Sequence, residues 1–275
     1  MTQLPSLENV SRIAQSAGHI LMDWFGRLEN VELKGSIDLV TDADRAAEAH
    51  LVEALGTLFP EAAILAEEGS GHDTASAYRW LVDPLDGTTN FAHGYPVFCV
   101  SLGLEFEGEV VLGVVHDPTR KETFAAERGQ GATLNGEPLA VGKRDAISQA
   151  LLMTGFPYDV HHDERNNLGH FIGFMKQARA LRRDGSAALN LAYVAAGRVD
   201  GYWEEKLNPW DLAAGSLLVT EAGGCVSDYA GGDTFLTEGN VVAANPELHR
   251  VLLEQIQREE QREPKRSVGW SSIKK

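Results

Sequence analysis

Apolar residues recur at Leu7, Val10, Ile13, Ala17, Ile20, Leu21 and Trp24, the spacing of a helix with one buried face, so residues 6–26 are predicted as an amphipathic helix. A second helix is predicted from Ala43 to Phe59, ending before Pro60. The period then changes. Ile64 to Glu67 and Arg79 to Asp83 read as short strands, the second stopped by Pro84. Val97 to Glu105 and Val110 to Asp117 form a hairpin across Gly108, and Thr123 to Glu127 with the Asn135-Gly136 turn extends an antiparallel sheet. Beyond Arg144 strand and helix patterns alternate: strand at 151–156, helices at 165–180 and 187–196, strand at 199–203, helix at 212–222, strand at 241–244 and a last helix from Pro246. Residues 259–275 are polar, without apolar periodicity until Val268, and are expected to form a disordered tail.

This pattern divides the chain at residue 144 into two halves of one fold, 1–144 and 145–258, rather than into domains on a flexible linker. A chain of 275 residues can bury a large core. It has no apolar run of membrane-spanning length, and no basic stretch leading into an apolar one at the N-terminus, so no membrane partner and no secretory leader is expected. Cys99 and Cys225 each stand alone in apolar surroundings and are expected to be core residues, which fits a reducing cytoplasm. The formal net charge of −16 argues against nucleic-acid binding. It is also the wrong sign for an anionic substrate, unless bound cations reverse the field locally. On composition alone, an acid excess that serves only solubility is the better explanation of the charge.

The densest chemistry lies in Trp80-Leu81-Val82-Asp83-Pro84-Leu85-Asp86-Gly87-Thr88-Thr89-Asn90. Asp83 and Asp86 are close enough in sequence for one turn to aim both at a point. Two such carboxylates repel unless a cation lies between them, and Mg²⁺ is the usual hard divalent ion. Gly87 lets the backbone approach a ligand, and the amides after it can face an anion. Three other acidic places accompany this turn. Glu67 and Glu68 end a strand and would otherwise be solvated. Thr41-Asp42-Ala43-Asp44 reads as a helix-capping box, and Asp211, after Pro209-Trp210, as an ordinary helix-start acid.

Together these strings resemble the signatures of the inositol monophosphatase family, the lithium-sensitive, magnesium-dependent phosphatases. The turn at 80–90 matches its first motif. Asp38-Leu39-Val40-Thr41-Asp42-Ala43-Asp44 matches its D-L-V-T-x-x-D segment, and Trp210-Asp211-Leu212-Ala213-Ala214-Gly215 its second motif, W-D-x-A-(A/G)-G. The likeness spans roughly residues 7–257 in the same motif order. It implies a layered α/β/α/β/α sandwich of the sugar-phosphatase type, an α/β (α+β) fold with its site between the halves.

The resemblance also implies hydrolysis of a small phosphate monoester, foremost myo-inositol 1-phosphate, with two or three Mg²⁺ ions. Glu67, Asp83 and the Leu85 carbonyl would hold one ion, and Asp83, Asp86 and Asp211 a second, with Glu68 less committed. Thr88, polarised by Asp44, would handle the proton of the attacking water, and the Gly87 and Thr88 amides would meet phosphate. Glu204 falls where the family binds substrate hydroxyls. Arg183, in the pair Arg182-Arg183 before Gly185-Ser186, would touch substrate oxygens or a second subunit, and a homodimer is expected. Lys34 would balance the charge of the metal site, although a solvated lysine fits it as well. Fructose 1,6-bisphosphate, histidinol phosphate and nucleotide 3′-phosphates remain open as substrates. So does a non-catalytic role binding RNA or a polymerase, for which the basic residues of the tail are the only feature.

Competing motifs fail on spacing. Gly136 to Lys143 has its glycines too far apart for a P-loop, and Arg144 stands where a hydroxyl should be. Arg45-Ala46 follow Asp42-Ala43-Asp44 where aspartyl-phosphate chemistry needs a hydroxyl. The nine histidines lack metal-ligand spacing, and Ser16, Ser101 and Ser186 lack a nucleophile elbow.

Overall fold

The computed structural model describes residues 4–27, 31–33, 39–72, 74–163 and 165–261. Lys34 and Asp38 lie outside the described residues, as does the tail from 262. The first helix, α1 (Leu7–Trp24), begins at Ser6, whose hydroxyl accepts from the Asn9 amide. A short hairpin follows, β1 (Val31–Leu33) against β2 (Leu39–Thr41), and leads directly into α2 (Asp42–Leu58).

Seven strands then form the larger sheet: β3 (Ala63–Ala66), β4 (Tyr78–Asp86), β5 (Cys99–Phe106), β6 (Glu109–Asp117), β7 (Glu122–Glu127), β8 (Gly131–Leu134) and β9 (Glu137–Pro138), adjacent in chain order. All pairs are antiparallel except β3 with β4. Between β4 and β5 lies the short helix α3 (Thr88–Ala92). Pro84 does not stop β4 as expected. Pairing with β5 continues to Asp86 across a register shift between Asp83 and Asp86, and that irregularity absorbs the missing donor.

The second half supplies β10 (Leu151–Thr154), α4 (Leu168–Met175), β11 (Ala180–Arg182), α5 (Ala187–Ala195), β12 (Gly201–Glu204), α6 (Pro209–Glu221), β13 (Cys225–Ser227), α7 (Phe235–Glu238), β14 (Val241–Ala244) and α8 (Pro246–Glu260). Its five strands form a mixed sheet in the order β11-β10-β12-β14-β13. The helix expected over 165–180 shrinks to eight residues. Asn167, in the left-handed region, starts it late, and Ala180–Arg182 is taken as the edge strand beside β10. The expected tail also starts too early, because α8 carries on through Glu260, with the Gln255 amide donating to Glu259 at 2.8 Å.

The layers follow from which faces are apolar. Helices α1 and α2 bury Val10, Ala14, Ala47 and Leu51 against one face of the large sheet, with Leu102, Leu104, Leu112 and Val114. On its other face α5 and α6 are sandwiched between the two sheets, and α4 with α8 cover the far side of the small sheet. The result is the expected α/β/α/β/α sandwich. Being central, α6 is buried on all sides, from Leu212 to Val219. It reaches that position because Gly113 has no side chain: a Cβ there would stand 2.8 Å from the Ala214 carbonyl oxygen. The backbone of the helix that carries Asp211 therefore lies directly on β6.

Candidate active site

The acids converge where β4 ends between the two sheets. Gly87 turns the chain from β4 into α3 at φ 103°, and a Cβ would meet the Val97 carbonyl at 2.9 Å, so only glycine fits. Thr88 opens α3, where the first amides have no partner within the helix. Its hydroxyl lies 3.2 Å from Asp44 Oδ1 and 3.1 Å from the Leu85 carbonyl, and its single proton can serve only one of them at a time.

Asp44 is fully buried. Its Oδ2 accepts from the amide of Thr41 at 2.9 Å and from the Thr41 hydroxyl, which closes the capping box of α2. Capping and contact with Thr88 are thus not rival readings: one carboxylate oxygen does each. Asp211 repeats the design, capping α6 by accepting from the Asn208 amide at 2.7 Å.

Each remaining acid is likewise fixed on one oxygen. Asp83 Oδ1 accepts from the Leu85 amide at 2.9 Å. Asp86 Oδ2 accepts from the Ser186 hydroxyl and the Ala188 amide, both at 2.7 Å, at the start of α5. Burial pushes the carboxyls of Asp83 and Asp211 well above the usual range, and Asp86 above it, although the Ser186 and Ala188 bonds oppose the rise at Asp86. Glu67, Asp86 and Asp211 all raise Asp83 further by repulsion.

Among the described residues, no three His, Cys, Asp or Glu side chains are gathered as a ready-made metal cage. What the site holds instead is a set of buried or half-buried, mutually repelling oxygen donors, each anchored by a neutral group. A hard cation fits that donor set, because it alone would repay the cost of ionising three acids together. Glu67 follows β3, its amide bonded to the Val82 carbonyl at 3.1 Å, and so stands beside β4.

Residues 5–261 match the inositol monophosphatase family. The chain belongs to that family. It is 46% identical over 260 residues to the Nus factor SuhB of Pseudomonas aeruginosa, covering 92% of this chain and 96% of that one. It is 47% identical over 249 residues to an inositol-1-monophosphatase of Rhizobium meliloti, covering 88% and 92%. The crystal structure of the extragenic suppressor protein suhB from Bartonella henselae superposes with a TM-score of 0.86 at 39% identity, covering 91% of this chain and 98% of that one.

Within this family fold, Glu204 ends β12 on the same face as Tyr202, whose hydroxyl donates to it at 2.6 Å. Burial raises the Glu204 carboxyl to about 7, against the opposing pull of Tyr202 and of Arg183. Arg183 is exposed, in the loop before α5. That loop is held from across the site by Asn90, whose side-chain amide donates to the Val97 and Asp184 carbonyls at 2.8 and 2.7 Å.

Four supporting residues escaped the sequence reading. Ser186 anchors Asp86, Asn90 ties α3 to the 184–185 loop, and Tyr202 orients Glu204. Buried Glu48 accepts from the Glu68 amide at 2.6 Å and the Ser70 amide at 2.9 Å, which fixes the turn after Glu67. Its signal was available, because Glu48 stands one helical turn after Asp44 on the same face of α2.

Proposed function

We propose that this chain hydrolyses a small phosphate monoester, myo-inositol 1-phosphate first among them, to the alcohol and inorganic phosphate. The observation that carries the reading is the Thr88 hydroxyl against buried Asp44, beside the acids Asp83, Asp86 and Asp211. Glu67, Asp83 and the Leu85 carbonyl would hold one Mg²⁺, and Asp83, Asp86 and Asp211 a second, with room in the scheme for a third. Bound there, the ions would supply an activated water and neutralise charge on the phosphate. Thr88, donating to Asp44, keeps an oxygen lone pair for the proton of that water, and Asp44 stabilises the charge that passes through. The Gly87 and Thr88 amides face the phosphate oxygens, and Glu204 accepts from substrate hydroxyls, with Arg183 at the rim. No covalent enzyme intermediate is needed.

Fructose 1,6-bisphosphate, histidinol phosphate and nucleotide 3′-phosphates would use the same acids. A panel of these esters with phosphate release as the readout, with Mg²⁺ and with chelator, tests the reading. Turnover of the inositol ester that stops with chelator is expected. Full turnover in buffer verified to be metal-free would refute the metal assignment.

A Nus-factor role is a second reading, favoured by the name of the P. aeruginosa relative. It would survive Asp86→Asn, whereas hydrolysis would not. The reading also includes a cytoplasmic homodimer whose two halves, 1–144 and 145–258, form one unit. Leu168, Ile172 and Met175, exposed along one face of α4, are apolar surface that such a dimer could cover. No described helix is long and apolar enough to cross a membrane.

A further inference from the structure

A cavity of about 770 Å³ opens on the far side of the small sheet, walled by the loop before α4, the end of β12, the segments flanking α7, and α8. It is separate from the acids at the end of β4. Glu204 and Glu205 divide the two sites between them, Glu204 lying with Tyr202 on the inner face and Glu205 lining this cavity.

Three polar atoms of residues that line it are buried and have no hydrogen-bond partner among the described residues: the Tyr229 hydroxyl, His170 Nδ1 and Asn240 Oδ1. Tyr229 is only 6% exposed. Unpaired buried polar atoms are costly, and three in one cavity point to a ligand that pairs them. The wall is preformed, because Asn167 is locked on every side: its side-chain amide donates to the Gly155 carbonyl at 2.6 Å and to Thr154 Oγ1 at 2.8 Å. Its own oxygen accepts from the Trp203 indole at 2.7 Å.

Charge selects the ligand. Among the described residues, Glu205, Glu238, Glu259 and Glu260 line the cavity, against the single cation Arg165. Burial raises the carboxyls of Glu205 and Glu260, a cost that a cation would relieve. An anion is excluded by this balance. Acceptors spread over several walls suit a molecule with several separated N–H donors. The neutral rings of His170 and Tyr229, set edge to face at 5.2 Å, add an aromatic surface for its chain or its charge. We propose that this cavity binds a small organic polycation of the aliphatic polyamine class.

The test is calorimetric titration of the full chain with spermidine, in excess Mg²⁺ so that the acids at the end of β4 are already served, and at physiological salt. One saturable site per chain is expected. Tyr229→Phe should weaken it about 10-fold, the factor for one hydrogen bond to a charged donor. Because that hydroxyl has no partner among the described residues, its loss should leave the melting temperature unchanged or raised. Glu205→Gln should weaken binding similarly, while Asp86→Asn should leave it intact. Titrations with Mn²⁺ and with inorganic phosphate complete the set. Binding that is unsaturable, or indifferent to both Tyr229→Phe and Glu205→Gln, would reveal only general attraction to an acidic protein and overturn the proposal. So would a Mn²⁺ or phosphate site abolished by the same changes.

Discussion

The acids at the end of β4 and those around the α4–α8 cavity are held in contrasting ways. At β4, Asp44, Asp83, Asp86 and Asp211 each accept from a backbone amide or hydroxyl, and the donors come from four separate segments of chain. Around the cavity the telling atoms are those with no donor or acceptor among the described residues, on Tyr229, His170 and Asn240. The first arrangement fixes oxygen positions to within a hydrogen bond and leaves their mutual repulsion for a ligand to cancel. The second leaves hydrogen-bonding capacity open and fixes only the walls. Preorganisation of the first kind suits chemistry, where charge must be met at a defined point. The second kind suits binding.

The comparison is most exposed to Asp86→Asn. Its Oδ2 bonds to Ser186 and Ala188 can be kept by an asparagine oxygen, so the fold should hold while one charge is lost. We expect kcat to fall on the order of 100- to 1000-fold, the scale for removing one partner of a transition-state charge clamp. Steady-state rates at saturating Mg²⁺ check this. Near-normal turnover would make the β4 acids structural and erase the contrast.

Asp44→Asn separates the two jobs of one carboxylate. The asparagine oxygen can still accept from Thr41, but an NH₂ then faces Thr88 and turns its proton to the Leu85 carbonyl. We expect kcat to fall about 100-fold, with about 1 kcal/mol or less of stability lost at the cap. Thr88→Ala should match it in rate. If the melting temperature falls and kcat holds, capping is the whole role of Asp44.

The β4 site was legible from sequence because its residues are local and its string is specific: Asp83 to Asn90 lie on one strand, one turn and one short helix. The helices that begin with a capping residue, α1, α2 and α8, were also read closely, since their start signals act over a few residues. What failed was set by distant contacts. β4 runs past Pro84 because β5 pairs with its far end, and 180–182 becomes a strand because β10 lies beside it. The anchoring roles of Ser186 and Asn90 depend on α5 approaching β4 across the fold, which no spacing reveals. The α4–α8 cavity was invisible for the same reason, its unpaired atoms being separated by up to seventy residues in the chain.

Lithium sharpens the contrast between the sites. Li⁺ is close to Mg²⁺ in size with half its charge, so at Asp83, Asp86 and Asp211 it could occupy the oxygens yet neutralise them poorly. Millimolar LiCl should inhibit several-fold, and roughly uncompetitively with substrate, while KCl at matched ionic strength should not. Identical curves in the two salts would argue against a lithium-sensitive second site without touching metal-assisted hydrolysis.

The smallest expected effect is a linkage between pH, metal and stability. Asp83, Asp86 and Asp211 have raised carboxyls in the folded chain, chiefly through burial. The unfolded chain releases these protons near the ordinary carboxylate pKa of about 4, while the folded chain keeps them to higher pH. The metal-free fold therefore binds more protons than the unfolded chain across that interval, and its stability falls as pH rises through it. Glu204, at about 7, extends the fall to neutral pH. Bound Mg²⁺ favours the ionised acids and should cancel the loss, so the rise in melting temperature on adding Mg²⁺ should grow by a few degrees between about pH 5 and pH 8. Melts with chelator and with Mg²⁺ across that range measure it. The net charge of −16 also loosens the fold as pH rises, so the decisive arm is Asp86→Asn. Removing one repelling acid should flatten the metal-free slope and raise metal-free stability at pH 8, even as turnover is lost. A slope unchanged in that variant would assign the pH dependence to overall charge and not to the acids at the end of β4.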